Sequence, residues 1–183
     1  MRLRNTLATY GTVARSLHWI IVLGIIAQYF LAEAEESIRT TAAGMSSMDW
    51  HMSLGISLLA LAFVRVLWRT LDRTPAWPAT MPGYERFLAT VVHLALYALL
   101  FAVPISGWVL ASVEGESLSM FGWFDLPALG ASGSEQREHL VEEVHEVLFN
   151  LLLVLALVHV VAALKHHFMD RDNVLRRMFP GMR

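Results

Sequence analysis

Apolar residues gather in four long runs, about Leu17–Ala34, His51–Trp68, Leu88–Ser112 and Leu140–Leu164, with polar, charged or proline-rich segments between them. Each run is near the ~17–25 residues that carry an α-helix across a bilayer. The pattern predicts four membrane-spanning helices. The first run is the shortest. The second holds Arg65 near its end, where a long stem can reach the interface. The third contains Pro104 and Gly107, which would bend a membrane helix without forbidding it. There is no internal repeat and no low-complexity segment.

Composition narrows the class. Of 183 residues, 56% are hydrophobic and only 16% charged, against roughly 25% charged in soluble domains. The mean hydropathy is +0.50. The expected fold is all-α: one domain over residues 1–183, an integral membrane four-helix bundle in a lipid bilayer. No nucleic-acid partner is expected. Cysteine is absent, which excludes disulfides, thiolate-held iron–sulfur clusters and covalent attachment of a c-type haem.

The formal net charge of -2 is uninformative, because the charges are segregated along the chain. Arg2, Arg4 and Arg15 precede the first run, and Arg65, Arg69, Arg73 and Arg86 lie at or between the second and third. Lys165, Arg171, Arg176, Arg177 and Arg183 follow the fourth, leaving only Arg39 and Arg137 for the other two loops. Positive charge stays on the cytoplasmic side, so both termini and the 74–83 loop are expected there. Those other loops carry Glu33, Glu35, Glu36, Asp49, Glu114, Glu116, Asp125, Glu135 and Glu138. Trp19, Trp50, Trp68, Trp108 and Trp123 fall near run ends or in adjoining loops, as an interfacial aromatic belt would. The basic start, apolar core and Ala32-Glu33-Ala34 imitate a cleaved secretory signal. The first run is nonetheless read as a retained span, since His18 would be a needless cost inside a signal core.

Eight histidines complete the pattern. An ionisable residue inside a membrane is a functional-site hypothesis by default. His145 and His159 share the fourth run, and their fourteen-residue offset returns them to nearly one helix face about 21 Å apart. His51 opens the second run at a depth comparable to His145. Gly55, one turn on, would let a flat macrocycle approach the backbone. This is the arrangement for an outer six-coordinate iron. Two partners are open to His159, namely His18 and His93, and depth slightly favours His93. A zinc or proton transporter would add mid-membrane carboxylates, and the four runs have none, so haem is the favoured ligand. His139 is expected to be a solvated loop residue, with His166 and His167 at the cytoplasmic rim.

The runs Arg15-Ser16-Leu17-His18-Trp19, Trp50-His51-Met52-Ser53-Leu54-Gly55, His93 through Tyr97 and Ser106-Gly107 resemble the prokaryotic cytochrome b561 family. So does the closing run with His145-Glu146, His159, Ala163-Leu164-Lys165-His166-His167-Phe168, Asp172-Asn173 and Leu175. The likeness covers nearly the whole chain, in order. It implies a di-haem b cytochrome of the bacterial inner membrane, similar to the cytochrome subunits of nickel hydrogenases. It also implies His51 and His145 as ligands of an outer haem and His18 and His159 as ligands of an inner one, leaving His93 unassigned.

Bis-histidine ligation leaves no open position on iron, so electron transfer is expected rather than oxygenation. Arg15, Arg65 and Arg69 are candidate partners for the inner haem's propionates. Lys165 and His166 are candidates for a quinone site. One group in the resembled family oxidises superoxide outside and reduces ubiquinone near the inner face. Ser119-Met120-Phe121-Gly122-Trp123-Phe124 in the third loop is more like a sister branch, which leaves the donor open: superoxide, another small periplasmic reductant, or a redox partner protein. The alternative reading is a membrane anchor relaying electrons between quinone and a separate dehydrogenase or hydrogenase.

Overall fold

The structure is a computed structural model and describes residues 2–33 and 45–179. Ala34, Glu35, Glu36, Arg39 and Arg183, on which parts of the charge and signal readings rest, lie outside the described residues. Four helices succeed one another: α1 (Thr12–Glu33), α2 (Ser47–Leu71), α3 (Gly83–Glu114) and α4 (Glu135–Phe168). All four are long and apolar enough to cross a membrane. Every one begins before its apolar run, because the polar residues ahead of the run still form helical turns. At α2 the start is fixed by a capping box: Asp49 N donates to Ser46 Oγ at 3.0 Å and Ser46 N donates to Asp49 Oδ2 at 2.8 Å. Helix α3 runs unbroken through Pro104 and stops at Gly115, whose φ of 78° suits a residue without a side chain.

Backbone packing runs α1 on α2, α2 on α3 and α3 on α4. Gly24 lets α1 and α2 close up, since a Cβ there would lie 2.5 Å from Leu58 Cδ2. Among the described residues α4 makes no extended backbone packing with α1 or α2. The buried core is correspondingly small, with Ile21, Leu58, Ala62 and Leu99 among its members. Leu23, Phe30, Phe63, Leu94, Val147 and Leu157 are exposed instead. Side chains of this size gain about 1.5–3 kcal/mol each on leaving water, so this outer girdle matches hydrocarbon.

The segment between α3 and α4, read from sequence only as a loop, forms a hairpin of β1 (Leu118–Met120) and β2 (Phe124–Leu126). Phe121 and Gly122 both take positive φ at its turn, 52° and 73°, as a tight hairpin requires. Ser53 of α2 clamps it: its hydroxyl donates to Ser119 O at 3.0 Å and accepts from Phe121 N at 3.0 Å. Trp50 stacks edge-on against Phe121. The hairpin therefore sits over the start of α2.

The opposite end gathers distant parts of the chain. Asn5 N donates to Asp72 Oδ2, Ala76 N to Leu7 O and Arg177 Nη1 to Ala76 O. Trp19 Nε1 donates to Met178 O at 2.9 Å. Both described terminal segments and the α2–α3 loop thus share one end of the bundle, which we call the terminal end. They bound an open cleft of about 560 Å³.

Candidate functional site

The histidines that depth had grouped are paired in space. Toward the hairpin end, His51 of α2 and His145 of α4 have ring centres 6.4 Å apart, with ring planes at 81°. Toward the terminal end, His18 of α1 and His159 of α4 are 6.3 Å apart at 79°. An imidazole nitrogen binds a first-row metal at about 2 Å, and its ring centre lies about 1.2 Å behind, so rings on opposite sides of one ion stand about 6.4 Å apart. Both pairs have that separation. His93 also reaches this layer, with its ring 5.1 Å from that of His159, which is too close for an ion in line between them.

Each pair joins α4 to a helix on which it does not pack. The imidazoles bridge an interval that the backbones leave open. Two further observations bear on a flat, carboxylate-bearing group there. Arg15 Nε and Arg65 Nη1 are buried and have no hydrogen-bond partner, so guanidinium donors await acceptors beside His18. Trp68 Nε1 is in the same condition. Arg65 Nε donates to Tyr97 Oη at 3.3 Å, and the Arg65 and Arg69 guanidinium carbons lie 5.7 and 5.6 Å from the Tyr97 ring centre. Neutral imidazoles in pairs and unsatisfied cations at one rim fit a bis-histidine haem with its propionates.

Gly55 faces the Gln28 amide of α1. A Cβ there would lie 2.9 Å from Gln28 Nε2, which donates to His51 O at 3.0 Å. The missing side chain leaves room for the Gln28 amide, whose Oε1 is buried without a partner. At Gly107 a Cβ would lie 3.0 Å from His145 Cε1. Its absence lets the imidazole lie against α3.

Lys165 and His166 sit in a carboxylate cluster that sequence reasoning missed. Lys165 Nζ is 2.6 Å from Glu85 Oε1 and 2.8 Å from Asp170 Oδ2. His166 is buried, with Nδ1 at 2.8 Å from Asp172 Oδ2 and 3.0 Å from Asp170 Oδ2. Glu85, His166 and Asp170 could by themselves hold a metal ion, but the Lys165 ammonium already bridges the two carboxylates. The cluster fastens α3 to α4 and to the turn after it. His139 stands on α4 rather than in a loop, with its side chain 74% exposed. His167 packs edge-on against Phe168.

Four apolar helices with two layers of paired imidazoles describe a membrane cytochrome of the b type. The family model for prokaryotic cytochrome b561 matches residues 9–181, and the chain belongs to that family. It is 34% identical over 182 residues to cytochrome b561 homolog 2 of Escherichia coli, covering 97% of this chain and 95% of that protein. It is 29% identical over 178 residues to a protein of Yersinia pestis named "Probable superoxide oxidase", covering 95% and 97%. A "Probable Ni/Fe-hydrogenase B-type cytochrome subunit" of Rhodobacter capsulatus is 23% identical over 225 aligned positions, covering 100% and 83%. Family membership carries haem iron, electron transport and a multi-pass place in the bacterial inner membrane.

Proposed function

We propose that the chain is a single-domain di-haem cytochrome that carries electrons across the inner membrane to quinone. His51 and His145 hold the outer haem b, and His18 and His159 the inner one. The observation that carries this reading is the near-equal ring separation of the two pairs, 6.4 and 6.3 Å, with one ring of each pair on α4. Haem in this ligation supplies one-electron transfer with no vacant iron position. Arg15 and Arg65, each with one buried guanidinium nitrogen that has no partner, take the inner propionates, with Arg69 and Trp68 beside them.

The terminal end is cytoplasmic on this reading, since most Lys and Arg residues gather there. The donor then reacts outside, near the hairpin, and ubiquinone is reduced near the inner haem. Superoxide is the donor best supported, by the likeness to the Yersinia protein. Two superoxide ions each give up one electron and leave as oxygen, while one quinone takes two electrons and two protons. Lys165 and His166, in contact with Glu85, Asp170 and Asp172, stand at the rim where those protons enter.

A second reading, an anchor that relays electrons for a separate dehydrogenase or hydrogenase subunit, is supported by the Rhodobacter relative. The hairpin tip adds to it, because Trp123 is 86% exposed next to an exposed Phe124. One experiment separates the two readings. The purified chain in lipid, given superoxide and a ubiquinone, should bleach the quinone catalytically and hold two noncovalent haems per chain by pyridine haemochrome. Two haems without quinone reduction would favour the anchor, and one haem would overturn the pairing.

A further inference from the structure

His145 differs from the other paired histidines in what stands behind it. Ser106 of α3 is buried, and its Oγ lies 2.9 Å from His145 Nδ1 and 2.8 Å from Val103 O. A hydroxyl has one proton, and a carbonyl can only accept. Were that proton given to His145, the Oγ and Val103 O lone pairs would face each other at 2.8 Å. The proton therefore goes to Val103 O, and Ser106 Oγ accepts from His145 Nδ1–H. Nδ1 carries the proton, so Nε2 is the nitrogen with a free lone pair. Gly107 makes the contact sterically available, because the ring lies where a Cβ at that position would press on it. His51 has no such support: its Nδ1 is buried without a partner.

We propose that Ser106 is a positioning residue that fixes the His145 tautomer and makes it the stronger donor of the outer pair. This rests on the assignment of His51 and His145 as haem ligands. A hydrogen bond accepted from the distal ring N–H raises the basicity of the ligating nitrogen and fixes the ring's orientation. A more basic ligand favours the oxidised iron, so Ser106 lowers the outer haem's potential relative to a site with two unsupported imidazoles.

The test is a redox titration of the full chain in lipid, followed optically, with oxidised-state EPR of the same samples. Ser106→Ala should keep two haems, raise one midpoint potential, leave the other in place and shift one low-spin signal. Ser106→Thr, which keeps the hydroxyl, should restore the parental potential and signal. Unchanged potentials in Ser106→Ala, or equal shifts in Ala and Thr, would overturn the proposal. If Ser106→Ala loses a haem, Thr decides: retention at the parental potential supports the role of the hydroxyl, and loss or a shifted potential overturns it. Failure of the underlying assignment looks different, because His145→Ala would then keep both haems.

Discussion

The His93 ring lies 5.1 Å from the His159 ring, nearer than His18 does at 6.3 Å. Proximity and ligation are therefore different questions in this layer. An ion between two rings needs the longer separation, so His18→Ala should halve the haem content and His93→Ala should leave it at the parental value. Pyridine haemochrome on both variants checks this, and the reverse outcome would assign the inner iron to His93.

Arg65 has a buried Nη1 without a partner while its Nε is committed to Tyr97. A charge-assisted hydrogen bond is worth about 1.5–3 kcal/mol, so Arg65→Gln should speed loss of the inner haem by roughly ten- to a hundredfold. Transfer of haem to an excess of a scavenging apoprotein measures this. Equal rates in variant and parent would remove Arg65 from the propionate site.

Gly107 gives His145 its place against α3. Gly107→Val should displace that ring, weakening retention of the outer haem while the inner spectrum stays unchanged. A difference spectrum of the variant reads the two haems separately, and parental spectra for both would show that the ring has room to spare.

Ser53 serves two backbone groups of the hairpin at once. Its removal leaves Ser119 O and Phe121 N without that partner, and an unmet buried group costs about 1–3 kcal/mol. Ser53→Ala should lower the melting temperature of the protein in detergent and loosen the hairpin to proteolysis near Trp123, with the haem content kept.

If superoxide is the donor, it meets a mostly acidic outer face. The basic residues available for steering are Arg137, at the start of α4, and Arg39. Arg137→Glu or Arg39→Glu should lower the second-order rate at low ionic strength, and added salt should shrink the difference from the parent. A rate indifferent to both would point to a neutral or protein-borne donor.

The four helices were legible because length and apolarity suffice for a membrane span, and no partner is needed to explain them. The His51–His145 pair was legible for a related reason: two helices cross the same thickness, so position along each gives depth. Depth slightly favoured His93 over His18, and both reach His159; the difference in ring separation, 5.1 against 6.3 Å, is one that position along a helix does not encode. The carboxylates around Lys165 and His166 were hidden because Glu85 lies eighty residues away in sequence. The hairpin was hidden by its size, three residues per strand, with Phe121 held at a positive φ that few non-glycine residues adopt.

Among the described residues the extended backbone packing of α4 is on α3, and paired imidazoles connect it to α1 and α2. The Lys165–Glu85 ion pair ties the far end of α4 to α3 as well. An occupant that ties α4 to α1 and α2 would stabilise the folded chain by its own binding free energy. Supply of tetrapyrrole would then bear on assembly: a starved cell would hold a chain whose α4 packs on α3 but lacks the ties to α1 and α2.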